Sequence, residues 1–260
     1  MRRFKGLLFI ASLFLALSAN LYSAGGETKP IKVDWSFKGL TGKFDRASLQ
    51  RGFQVYKEVC SSCHSMQYLS YRNLGEPGGP EFSEQEVKAI AASVEITDGP
   101  DDQGEMFTRP GRPADKFKNP YPNVKASIAA NGGAYPPDMS VLVKARPGGS
   151  NYIYSVLVGY EEPPEGVTLD DGVYYNKYMI GNKIKMSSPL SDDIVEYSDG
   201  TQASVDQMAK DVTTFLSWAA EPELEERHRT GVKVIIYLIL LTTLVYLSMK
   251  KIWSRVDTEV

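Results

Sequence analysis

Cys60-Ser61-Ser62-Cys63-His64 gathers both cysteines of the chain and one of its two histidines into five consecutive residues. Two thiols about one helical turn apart can add to the two vinyl groups on one edge of a porphyrin, and the next residue then brings an imidazole beneath the iron. The pattern is that of c-type haem attachment, with one haem held covalently through Cys60 and Cys63 and with His64 as an iron ligand. Other uses of these residues fit less well. A thioredoxin-like redox pair belongs in a βαβ context, which the surrounding sequence lacks. A zinc site would run short of ligands, since only His228 remains.

The sixth iron ligand must come from elsewhere. His228 sits beside an apolar, membrane-length run, which leaves methionine as the partner. Of the eight methionines, Met1 falls in an export signal and Met249 in the apolar run. Met66 is two residues from His64 and cannot reach the opposite haem face, and Met208 belongs to a core stripe. Met106, Met139, Met179 and Met186 remain, and residue chemistry alone does not choose among these four.

The elements that must position this site are mostly helical. The chain of 260 residues is 42% apolar and 23% charged with a net charge of −3, the composition of a folded protein rather than a disordered one. Asp45 can cap a helix carrying Leu49, Gly52, Phe53 and Tyr56 on one stripe. A second helix is predicted from Ser204 to Ala220, with Val205, Met208, Val212, Phe215 and Ala219 on its stripe. Glu84 to Ser93 and Asn123 to Ala130 read as two shorter ones. Between them the chain is expected to be irregular: residues 100–189 hold 11 of the 15 prolines and 10 of the 22 glycines. So long a loop region is unusual in a compact domain. It is expected where chain wraps an apolar cofactor that fills core volume, and its tyrosines (Tyr121, Tyr135, Tyr152, Tyr154, Tyr160, Tyr174, Tyr175, Tyr178) argue against a disordered linker.

Both ends address a membrane. Met1-Arg-Arg-Phe-Lys5 followed by the apolar run from Gly6 to Leu17 and small residues to Ala24 is the pattern of a secretory signal peptide, predicted over 1–24. Near the other end, Val234 to Met249 is uncharged and apolar on every face, and with Thr230 to Lys233 it reaches the ~20 residues needed to cross ~30 Å of hydrocarbon. The expected organisation is a signal over 1–24, an exported haem domain over 25–226, a membrane anchor over 230–249 and a cytoplasmic tail over 250–260. Export of the domain then puts it in the periplasm of a bacterial cell, with Lys250, Lys251 and Arg255 inside, as the positive-inside rule prefers.

Arg51-Gly-Phe-Gln-Val-Tyr-Lys-Glu-Val-Cys-Ser-Ser-Cys-His-Ser-Met66, Asn119-Pro-Tyr-Pro-Asn123, Pro136-Pro-Asp-Met-Ser140, Ala145-Arg-Pro-Gly-Gly149, Lys210-Asp-Val212 and Trp218-Ala-Ala-Glu-Pro-Glu223 together make the chain resemble the cytochrome c1 family. The resemblance runs from about Phe44 to Trp253. It implies a mainly α, cytochrome c-like haem domain with long irregular loops and one C-terminal transmembrane helix. It implies Met186, in Ile184-Lys-Met-Ser-Ser-Pro-Leu190, as the axial methionine. It also places Arg146 and Tyr152 near the haem propionates, with Asn131, Pro137 and Pro189 lining the pocket. Two departures stand out: Met139 occupies a position where leucine is common in the family, and the disulfide of some relatives cannot form here.

The implied activity is electron transfer, with no bond made or broken in a substrate. Electrons would pass from a Rieske iron–sulfur protein, beside cytochrome b, through the haem to a soluble or tethered cytochrome c; no nucleic acid is implied. A free-standing tethered cytochrome or terminal-oxidase haem subunit is the rival of the same chemistry. A haem enzyme or gas sensor would want an open sixth position and a distal polar group, and no spare histidine supplies one. Residues 25–220 carry 20 basic and 26 acidic side chains, and residues 76–105 hold nine acids against one base. That bias suits a solvated face or a landing site for a basic cytochrome c.

Overall fold

The core is built on two helices that are distant in sequence and pressed together in space. A computed structural model describes residues 28–256; the predicted signal peptide lies outside the described residues. Helix α1, Arg46–Glu58, starts at Asp45, whose carboxylate accepts the N–H groups of Ala47 and Ser48 at 2.9 and 3.2 Å. Short helices α2, Glu84–Ala92, and α3, Val124–Ala130, start at Ser83 and Asn123 through the same device. Helix α4 spans Ser150–Val158, α5 spans Val205–Ala220 and α6 spans Leu224–Val256. Two small antiparallel hairpins complete the order: β1, Glu95–Asp98, with β2, Phe107–Pro110, and β3, Tyr174–Tyr175, with β4, Lys183–Ile184.

Helices α1 and α5 cross at Gly52, where an added Cβ would lie 2.1 Å from the Asp211 carbonyl oxygen. Only a residue without a side chain permits that approach. Around the crossing, Phe215 meets Phe53 at 5.7 Å and Tyr56 at 5.8 Å between ring centroids, and Trp218 closes the cluster. Asp211 is fully buried beside it. Arg51 answers that charge with two hydrogen bonds of 2.8 and 3.1 Å, while Gln207 donates a third. A buried carboxylate with its donors in place is tolerated where a lone one is not.

The predicted helices are present at the expected stripes, and one was not anticipated. Helix α4 lies inside the stretch read as irregular. Its sequence, Ser-Asn-Tyr-Ile-Tyr-Ser-Val-Leu-Val, is rich in aromatic and β-branched residues of weak helix propensity. Tertiary contacts hold it: it packs on α5, and the N-terminal segment runs along it. Ser155 Oγ accepts the Ile31 N–H at 2.8 Å, and Asn151 Oδ1 accepts the Val33 N–H at 3.2 Å and the Trp35 indole N–H at 2.7 Å.

Helix α6 is continuous across both predicted boundaries of the anchor, beginning at Leu224 and still helical at Val256. It is the one helix among the described residues long and apolar enough to cross a membrane, with mean hydropathy 2.1 in its most apolar window. At ~1.5 Å per residue its 33 residues extend ~50 Å, more than one hydrocarbon thickness. Its first turns are bolted to the domain. Glu225 accepts two bonds from Arg46 at 2.7 and 2.9 Å and the Phe44 N–H at 2.8 Å. His228 Nδ1 donates to the Gly42 carbonyl at 3.1 Å.

Candidate functional site

The end of α1 runs directly into a tight turn, Cys60–Ser62, that carries the two thiols. The Cys60 carbonyl accepts the N–H groups of both Cys63 (3.1 Å) and His64 (2.9 Å), so the three chemical side chains issue from one turn of wound backbone. Neither cysteine is in a disulfide; Cys60 is buried and Cys63 partly exposed. Burial, with a smaller contribution from Cys63, pushes the Cys60 thiol up to about 12, so it stays protonated.

His64 is buried and its orientation is fixed. Nδ1 donates to the Pro137 carbonyl at 2.8 Å, which leaves the lone pair of the neutral ring on Nε2. Burial lowers its pKa, against the opposing pull of the Pro137 carbonyl and Asp138. A neutral imidazole with Nδ1 bonded to a carbonyl is the form that ligates a metal.

Asp138 was not singled out from sequence, yet it organises the turn behind the imidazole. One oxygen accepts from Ser65 Oγ at 2.7 Å and the Gln67 N–H at 2.9 Å; the other accepts the Ser140 N–H at 2.9 Å. Burial opposes its charge, but these hydrogen bonds outweigh burial and hold the carboxyl below its ordinary value. The only signal in the sequence is a carboxylate directly after two prolines, a turn-forming position. Met139 follows, and its N–H donates to the Ser65 carbonyl at 2.8 Å. Its backbone therefore lies behind the imidazole rather than across from it.

The other predicted residues divide into two groups. Met179 and Met186 lie on the long loop that includes β3 and β4, and both are half-buried. Tyr152, on α4, donates its hydroxyl to the Met179 sulfur at 3.3 Å, and the Tyr160 hydroxyl donates to the Met186 carbonyl at 3.1 Å. Asn131, at the end of α3, is tied to the Ser127 carbonyl at 2.7 Å, and the adjacent Gly132 carbonyl receives Lys185 Nζ at 2.8 Å. The turn after Asn131 and the segment that carries Met186 are thus linked through Lys185. Arg146 is exposed in the loop before α4, its guanidinium donating to the Ala145 carbonyl at 3.1 Å. Met106 is 61% exposed in the loop that joins β1 to β2. Pro189 is half-buried three residues beyond Met186. Beside Cys63 a cleft opens, lined by Ser65, Gln67, Pro120, Tyr121 and Tyr135 among others.

A sequence model of the cytochrome c1 family matches residues 35–256. The chain belongs to the cytochrome c1 family. It is 47% identical over 268 residues to cytochrome c1 of Rhodospirillum rubrum, covering 97% of each chain. It is 49% identical over 262 residues to cytochrome b/c1 of Bradyrhizobium diazoefficiens, covering 94% of this chain but spanning only 38% of that longer protein. A mitochondrial cytochrome c1 heme protein of Arabidopsis thaliana is 50% identical over 222 residues, 85% of this chain and 71% of that one. A member of the cytochrome c1 family is a haem-carrying electron-transfer subunit of the bc1 complex, which contains cytochrome b. The long apolar α6 agrees with a membrane-anchored member.

The residues present fit a covalent c-type haem. Two unpaired thiols on one turn, and an imidazole whose Nε2 has no partner among the described residues, form the set that such a group requires. When bound, haem supplies a reversible one-electron iron couple. Cys60 and Cys63 would hold it covalently, and the His64 Nε2 would face its iron as a donor.

Proposed function

We propose that this chain carries one haem c, bound through Cys60 and Cys63 with His64 and Met186 as axial ligands. It passes electrons from a Rieske iron–sulfur protein to a basic cytochrome c, beside cytochrome b, with its haem domain in the bacterial periplasm and its C-terminus in the cytoplasm. The observation that carries this reading is the fixed tautomer of His64 next to two unpaired thiols. Choice of the methionine is supported by what the other three do. Met106 is exposed, the Met139 backbone is bonded to Ser65, next to His64, and the Met179 sulfur accepts the Tyr152 hydroxyl. Association with cytochrome b is supported by the Bradyrhizobium relative, a single chain named for both cytochromes. Arg146 and Tyr152 are proposed to lie near the propionates, and Asn131, Pro137 and Pro189 to form the pocket wall.

A redox titration and a carbon monoxide difference spectrum of four leucine variants test the ligand. A thioether is a soft donor that favours ferrous iron, so the wild-type potential should be comparatively high. Met186→Leu should drop it by a large margin and open the iron to carbon monoxide. Met106→Leu, Met139→Leu and Met179→Leu should change packing by only about 1 kcal/mol, because leucine and methionine have similar volumes. Collapse of the potential in Met139→Leu with Met186→Leu intact would reject the assignment.

A further inference from the structure

The loop that carries Met186 is held by the last turn of α4 through a buried polar node. Asn176 is fully buried. Its Nδ2 donates to the Val156 carbonyl at 2.8 Å, one of the α4 carbonyls that has no partner within the helix. Its Oδ1 accepts the N–H groups of Tyr178 (3.1 Å) and Met179 (3.2 Å), and its backbone N–H donates to the Asn182 carbonyl at 3.1 Å. The loop passes against Gly159, where an added Cβ would lie 2.5 Å from Tyr178 Cδ2, and the Lys177 N–H donates to the Gly159 carbonyl at 2.9 Å. One residue further on, Tyr160 pairs with Asn176 as an isolated antiparallel bridge and sends its hydroxyl to the Met186 carbonyl at 3.1 Å. One short stretch, residues 156–160, therefore grips the loop at its start and again at Met186.

We propose that Tyr160 and Asn176 are positioning residues for the axial methionine: the end of α4 holds the Met186 backbone so that its sulfur stays on the iron. The proposal rests on Met186 being the ligand. A methionine–iron bond is weak, and a loop free to swing exchanges it for an outside donor; a hydrogen bond to the ligand's own carbonyl reduces that freedom.

The test uses the full-length, haem-loaded protein and imidazole as the competing ligand for ferric iron. Loss of one ordinary hydrogen bond corresponds to roughly a three- to tenfold change in an equilibrium. Tyr160→Phe is therefore expected to raise the apparent imidazole affinity by about that factor and to weaken the red charge-transfer band of a methionine–ferric haem. Asn176→Asp keeps the acceptor and loses the Val156 bond, and it should move both readings in the same direction. Tyr174→Phe, on the same loop but exposed, should move neither. Tyr160→Phe behaving as wild type while Met186→Leu abolishes the band would overturn the positioning role and leave the ligand standing. A band that survives Met186→Leu would remove the ligand reading and this one with it. Band loss that only accompanies loss of helical circular dichroism would assign Tyr160 to global stability, against the proposal.

Discussion

Cys60 and Cys63 differ in exposure, and a side chain that is buried cannot be reached by a bulky reagent once the domain has closed. Denaturing gels of the mature chain should show haem peroxidase stain, and changing both cysteines to alanine should abolish it; stain that survives the double change would reject covalent attachment. At this scale the sequence was informative wherever chemistry demands fixed spacing. C-x-x-C-H identifies three of the site residues because two vinyl groups and an iron leave little freedom in the chain that reaches them. Met186, Asp138 and Tyr160 had no such signature. A carboxylate behind an imidazole and a hydroxyl on a carbonyl are brought into place by the fold, with at most two preceding prolines to mark Asp138, and Met186 is marked only by the family resemblance of its segment.

Among the elements, the α1–α5 crossing is the most demanding. Gly52→Ala would set a methyl group 2.1 Å from the Asp211 carbonyl and 2.8 Å from Phe215 Cβ, in contact with atoms that cannot step aside. A cost of about 3 kcal/mol is expected, read as a fall in melting temperature of roughly ten degrees for a domain of this size. The β1–β2 hairpin depends on a different force. Arg109 bridges Asp98 and Asp115, and its bonds hold the Asp115 carboxyl down at about 2 against an ordinary value of 3.8. A depressed carboxyl contributes stability that is present above its unfolded value and lost as pH falls through its folded value. Hydrogen exchange in residues 95–110 should therefore quicken between about pH 4 and pH 2, and Arg109→Met should remove that step. Helix α4 shows the limit of local pattern. Its β-branched and aromatic residues favour a strand, and packing on α5, the N-terminal strap, the buried Ser150–Ser217 contact at 2.9 Å and the Asn176 node hold it helical.

For the whole molecule, the acidic bias is partly neutralised from within, since Glu81, Glu84, Asp98 and Asp115 all have a basic partner. Glu95, Asp102 and Glu105 form no ion pair among the described residues and keep the hairpin side negative. The rate of reduction of a basic cytochrome c should fall steeply with salt, because screening shortens from ~30 Å at 0.01 M to ~8 Å at 0.15 M; a rate indifferent to salt over that range would reject electrostatic docking. The pairing of α1 with α5 also has a consequence in time. Arg51 and Asp211 are 160 residues apart, and Phe215 of α5 packs on both Tyr56 and Phe53 beside Phe117. Were the domain exported from its N-terminus as proposed, the Cys60–Ser62 turn would emerge long before the helix that pairs with α1, and the core would close only as the apolar α6 followed.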